Sequence, residues 1–114
     1  MEQLNKIELM GRVGIVRSFQ GGIPATNFTV ATNYVYHGRN GELLEEVTWH
    51  NVVVSNAKIV PDADALVKGC SIHVVGRLRS SKYTGADGVE RYSYDVQASS
   101  VEILDEPLTV QPGY

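Results

Sequence analysis

Apolar and polar residues alternate along most of this chain. In "KIELMGRVG" Ile7 and Leu9 alternate with Glu8, and the glycines at 11 and 14 mark a bend in a long first strand. "QGGIP" is a turn signal. "TNFTVATNYVY" sets Phe28 and Val30 against Thr29 and Ala31, and is rich in the Thr, Val and Tyr that strands favour. Asn40-Gly41 within "HGRNGE" is a hairpin signal, after which "EVTWHNVVV" returns as a third strand. "SIHVVGRLRS" is a fourth, with Ile72, Val74 and Leu78 on one face and His73, Arg77 and Arg79 on the other. Asp87-Gly88 turns a second hairpin into "ERYSYDVQASSVEIL". On that last strand Tyr92 and Tyr94 share the face of Val96 and Ala98, which predicts core or barrel-wall positions.

One stretch has helical character. In "SNAKIVPDADALVKG", Ala57, Val60, Ala63 and Leu66 or Val67 fall near helical spacing, and Gly69 is a stop. Pro61 would break a long helix, so the pattern predicts a short one from Pro61 or Asp62. Three strands, a short helix and two strands is the order of an all-β OB-fold, a five-stranded Greek-key barrel with one short helix between strands three and four. A small β-sandwich satisfies the same alternation, but the helix placement and the glycine-bent first strand favour the barrel. The expected domain spans residues 1–105, and the proline-punctuated residues 106–114 are expected to form a flexible tail.

Composition narrows the function. A chain of 114 residues holds one hydrophobic core. No run approaches the roughly 20 apolar residues of a membrane helix, and "MEQLNKIELM" is no secretory leader. Cys70 is the single cysteine, which suits a reducing cytoplasm. His37, His50 and His73 fall on different strands without ligand spacing, so no metal or other cofactor is expected. The formal net charge of -3 hides a segregation. Residues 41–67 carry Glu42, Glu45, Glu46, Asp62 and Asp64 against Lys58, whereas residues 76–82 carry Arg77, Arg79 and Lys82 with no acid. One surface can therefore be locally positive on an acidic body.

Catalytic signals are poor. "GRVG" lacks the Gly-Lys-Ser/Thr of a phosphate loop, and Asp62 and Asp64 read as helix-capping residues. No nucleophile–base arrangement is legible, and a nuclease would need an acidic metal cluster that this sequence does not assemble. Binding is better supported. Single strands of nucleic acid are held by aromatic faces for the bases and cations for the phosphates. Tyr36, Trp49 and Tyr83 each lie near a cation or a loop, and Arg77, Arg79 and Lys82 form a basic run. Each aromatic taken alone is as readily a packing residue.

"TWHNVVV", "KGCSIHVVGRLRSSKY" and "DGVERYSYDV" resemble the bacterial single-stranded DNA-binding protein family, and "IELMGRVG" and "ATNFTVATN" match its opening strands. The resemblance covers about residues 4–104. It implies an OB-fold that assembles as a homotetramer, a dimer of dimers, and wraps single-stranded DNA without sequence preference. The family's stacking aromatics fall on Tyr36, Trp49 and Tyr83, with tyrosine twice in place of the more usual tryptophan. Its phosphate-contacting cations fall on Arg12, Arg17, Arg77, Arg79 and Lys82, and His50 corresponds to a histidine at a subunit interface. Ser55 stands where a stacking phenylalanine is usual, and Ser81 where a further arginine is common. The sequence closes on "VQPGY" rather than on the family's acidic tip, so recruitment of repair and replication enzymes by that route is not expected. "GGIPATNF" also has the flavour of primosomal replication protein N, a dimeric OB-fold relative that would act mainly through protein contacts.

Overall fold

The computed structural model describes residues 1–19, 25–55, 59–60 and 65–113. Among them are β1 (Ile7–Phe19), β2 (Ala25–His37), β3 (Leu43–Val54), β4 (Ser71–Thr84), β5 (Glu90–Leu104) and a two-residue β6 (Gln111–Pro112). The sheet runs β1-β4-β5-β3-β2, and a further pairing of β1 with β2 closes it. Closure makes a five-stranded barrel of the OB type, as the order of elements and the glycine-bent first strand predict. The short helix expected from Pro61 or Asp62 rests on residues 61–64, which lie outside the described residues.

The predicted bend in β1 is real. Its register against β2 shifts between Val13 and Val16, a bulge that lets one long strand pair with β4 over Ile7–Arg12 and with β2 beyond. Both hairpins turn in the same way. Gly38 N–H donates to Glu42 O and Gly41 N–H to Gly38 O, and Gly85 N–H and Gly88 N–H repeat the pattern with Val89 O and Gly85 O. Gly41 and Gly88 sit at φ +79° and +77°, the left-handed conformation that the Asn-Gly and Asp-Gly signals anticipate.

The core gathers inward positions from all five strands. Val30, Val52, Val54, Ile72 and Val74 are the largest side chains with essentially no exposure, and Leu9, Val13, Phe28, Leu66, Val96 and Val101 surround them. Burying each such side chain contributes roughly 1.5–3 kcal/mol. Val52 lies opposite Val96 where β3 meets β5 in parallel, which ties the two hairpins together.

Strand length exceeds the depth of this core. β2–β3 pair down to His37↔Leu43, and β4–β5 down to Thr84↔Glu90, so both hairpins run past the barrel as two-stranded ribbons. Every residue from Leu43 to Trp49 is exposed. Where β1 leaves β2 after Ala31, residues 111–113 lie against β2 instead, with Tyr34 opposite Gln111, Val35 opposite Pro112, and Gly113 N–H donating to Val35 O at 2.7 Å.

Candidate nucleic-acid interface

Cross-strand pairing sorts the sequence-derived site residues onto faces, because directly opposed residues point the same way. One row crosses all five barrel strands on the outer face: Arg17 opposite Asn27, Asn27 opposite Val53, Val53 opposite Gln97, and Gln97 opposite Arg77. A second row places Arg12 opposite Ala31 and Ala31 opposite Trp49. Arg79, opposite Asp95, and Tyr83, opposite Arg91, continue the same face of β4. The outer face therefore collects Arg12, Arg17, Arg77, Arg79, Trp49 and Tyr83 from three strands, β1, β3 and β4.

Trp49 is 61% exposed although its ring rests on the barrel. A Cβ built on Gly14 would lie 2.5 Å from the indole Cζ3 and 2.6 Å from Thr29 Oγ1, so the missing side chain is the seat of the ring. Thr29 Oγ1 also accepts from Ile15 N–H at 3.0 Å, which holds the bulge in place behind it. One face of the indole is thus supported and the remainder open, the arrangement a base-stacking platform needs. Gly14 serves both the strand bend and this seat.

The cations differ in readiness. Arg12, Arg17 and Arg77 are exposed and form no ion pair among the described residues. Arg79 Nε instead lies 3.3 Å from Asp95 Oδ1, and its guanidinium Nη2 donates to Asp95 Oδ2 at 3.3 Å. Asp95 is only 17% exposed in its side chain, so Arg79 neutralises a largely buried carboxylate before it meets any ligand. In the row of Arg17 and Arg77 the acceptors Asn27 Oδ1 and Gln97 Oε1 are buried without a partner among the described residues. Gln97 Nε2 donates to Ser55 Oγ at 2.7 Å, so Ser55 is a hydrogen-bonding residue beside the row and offers no ring.

Two expected site residues lie elsewhere. Lys82 points away from Tyr83 on the other face of the β4–β5 ribbon, where its Nζ is 3.0 Å from Glu90 Oε2. Tyr36 is on the other face of the β2–β3 ribbon, opposite Leu44 rather than beside Trp49. It stacks on Tyr34, with ring centroids 6.1 Å apart and planes 25° from parallel.

The reading of Tyr92 and Tyr94 as core or barrel wall is corrected. They do continue the inward face of Val96, but beyond the end of the core, and they are 61% and 59% exposed. Leu78, opposite the buried Val96 on the same face, is itself exposed at the edge of the core. Sequence reasoning missed Arg91, which faces Tyr83 across the ribbon and is 2.6 Å from Asp87, and it missed Tyr34. A signal for Arg91 exists: counting outward from the Asp87-Gly88 turn pairs it with Tyr83.

His50 is half-buried, with Nε2 2.9 Å from Thr32 Oγ1, and burial lowers its pKa below the ordinary 6.5. It lines a cleft of about 800 Å³ with Glu8, Arg12 and Glu45. No cluster of His, Cys, Asp or Glu among the described residues could hold a metal ion, and no helix there is long and apolar enough to cross a membrane.

A family model described as the single-strand binding protein family matches residues 4–104. A single-stranded DNA-binding protein of Neisseria meningitidis serogroup B is 38% identical over 104 residues, covering 89% of this chain and 60% of that protein. One of Xanthomonas axonopodis pv. citri is 36% identical over 104 residues, covering 89% of this chain and 58% of that protein. The chain thus spans about 60% of the length of these curated relatives. Among solved structures, a Plasmodium falciparum SSB in complex with ssDNA superposes with a TM-score of 0.78 at 32% identity, over 92% of this chain and 98% of that one. A deletion mutant of the single-stranded DNA binding protein from Thermus aquaticus gives 0.73 at 25% identity, over 90% and 51%.

Proposed function

The chain belongs to the single-strand binding protein family, and from that premise we propose that it coats single-stranded DNA without reading its sequence, in the cytoplasm, during replication, recombination and repair. The observation that carries the proposal is the outer face, where an exposed indole seated on Gly14 shares a surface with Arg12, Arg17 and Arg77.

The mechanism divides the work. Bases stack on Trp49 and Tyr83, an interaction every base can make because each has a π face. Phosphates are held by Arg12, Arg17 and Arg77, and after exchange of their carboxylate partners by Arg79, Arg91 and Lys82. Tyr36 serves strand segments that pass around the β2–β3 ribbon. None of these groups reads a base edge directly, which is why the binding is indifferent to sequence. Residues 1–105 act as the binding domain. Its assembly is a homotetramer built as a dimer of dimers, with half-buried His50 at a subunit interface.

Trp49 is the single tryptophan, so its fluorescence reports on the platform alone. Titration with poly-dT at low salt is expected to quench it strongly, and added salt to reverse the quenching. Each phosphate held should contribute about 0.7 to the slope of log K against log salt. Unchanged emission at saturating poly-dT would overturn the stacking mechanism and favour a dimeric module working through protein contacts.

A further inference from the structure

The proposed function uses the outer face of the β4–β5 ribbon, yet the opposite face of the same ribbon carries its own aromatic pair. Tyr92 and Tyr94 are two residues apart on β5, so they project from one face with attachment points about 6.5 Å apart. Both rings are mostly open to solvent, and no ring contact ties either to a described neighbour. Lys82 lies directly opposite Tyr92, and Ser80 directly opposite Tyr94.

This face has a built floor. Asn5 Nδ2 donates to Leu78 O at 2.8 Å, and Leu78 N–H donates to Asn5 Oδ1 at 3.0 Å. The amide thereby extends the β1–β4 ladder by one pair and fixes the N-terminal segment along β4. A cleft of about 530 Å³ results, bounded by Leu4, Lys6, Leu78, Ser80 and Tyr94. Its charged groups are the exposed Lys6 and, beside Tyr92, the Lys82–Glu90 pair. An exposed pair of this kind is held weakly, so a phosphate can displace the Glu90 carboxylate from Lys82.

From this we propose a second single-stranded DNA-contacting surface, in which bases lie on Tyr92 and Tyr94 while Lys82 and Lys6 hold the adjoining phosphates. It rests on the reading of the chain as a single-strand binder and extends it to residues outside the outer face. Beyond the barrel the ribbon is only two strands wide, about 5 Å between strand axes. A strand leaving Tyr83 therefore passes round the ribbon edge onto Tyr92 without crossing the barrel. Lys82, the cation missing from the outer face, is accounted for by this path.

The test pairs Tyr92→Ser/Tyr94→Ser with the wild-type protein, using oligo-dT that carries 5-iododeoxyuridine at single positions. In the wild type, photo-crosslinks to Tyr92 or Tyr94 are expected at positions distinct from those reaching Tyr83. In the double variant, the number of nucleotides occupied per chain should fall and affinity should drop about tenfold, while Trp49 quenching by a short oligonucleotide persists. Site size and affinity unchanged in the double variant, with no crosslink at either tyrosine, would overturn this surface and leave the outer-face mechanism intact. A change in oligomeric mass of the double variant, with no crosslink at either tyrosine in the wild type, would also overturn it, by showing the face to be an interface between copies. Loss of all binding by the wild type would instead reject the parent reading.

Discussion

The barrel and the ribbons are made from the same strands but obey different rules. Within the barrel, alternation decides inside from outside: Ile72 and Val74 have no exposure, and their neighbours His73 and Val75 reach the other face. Further along β4 and β5, past the register shift between Val75 and Gly76, the strands still alternate, yet both faces meet solvent, and alternation then decides only which of two surfaces a residue joins. Stability is concentrated in the first region and ligand chemistry in the second. The barrel fixes where the ribbons start, and the ribbons are free to carry aromatic and charged side chains that no core would accept.

The sharpest way to break that division is to truncate one residue from each region. Ile72→Ala opens a cavity in the barrel and should lower unfolding free energy by about 2–5 kcal/mol. Tyr92→Ala removes a larger side chain from the ribbon and should change stability by less than about 0.5 kcal/mol. Urea midpoints of the two variants measure this directly. Comparable losses would mean that the ribbon face is packed, against a second copy or against the chain itself.

The same contrast explains what is legible in the sequence. The five strands and the two hairpins follow from alternation and from the Asn-Gly and Asp-Gly turns, which are local signals, and the glycine-bent first strand is what favours a barrel over a sandwich. Which of Arg77, Arg79, Lys82 and Tyr83 act together is not local. Alternation separates Lys82 from Tyr83, and only the β5 partner shows that Arg79 meets Asp95 while Arg77 meets an amide. Alternation places Tyr92 and Tyr94 in the core because periodicity reports a face and says nothing of where the core ends. The seat of Trp49 is hidden for another reason: Gly14 and Trp49 are brought together by two successive register choices, β1 on β2 and β2 on β3.

Two arginines on one strand sharpen the comparison further. Arg79 sits at the junction of barrel and ribbon, paired with a carboxylate that is largely buried. Arg79→Ala should cost about 1–3 kcal/mol of stability, because Asp95 loses its countercharge without regaining water. Arg77→Ala should leave stability within about 0.5 kcal/mol of wild type. It should instead flatten the salt dependence of oligo-dT binding by about 0.7 for each phosphate that the arginine no longer holds. Thermal or urea unfolding separates the two, and salt titrations of affinity complete the cross. Equal effects of both variants on stability would show that Arg77 is also structural.

The smallest expected effect lies at His50, where the barrel gives way to the β2–β3 ribbon. Burial disfavours its charged form, so the folded chain takes up this proton at lower pH than the unfolded chain, whose value is near 6.5. The stability His50 contributes is then complete above that value and is lost as pH falls through it towards the depressed folded value. Arg12, Glu8 and Glu45 are the charged groups that line the same cleft. Comparing His50→Gln with wild type isolates the contribution of this one ring. Urea midpoints between about pH 8 and pH 5 should fall less steeply in the variant than in the wild type. Parallel curves would mean that the ring is as accessible to protons as a ribbon residue, and the boundary between the two regions would have to be drawn on the barrel side of His50.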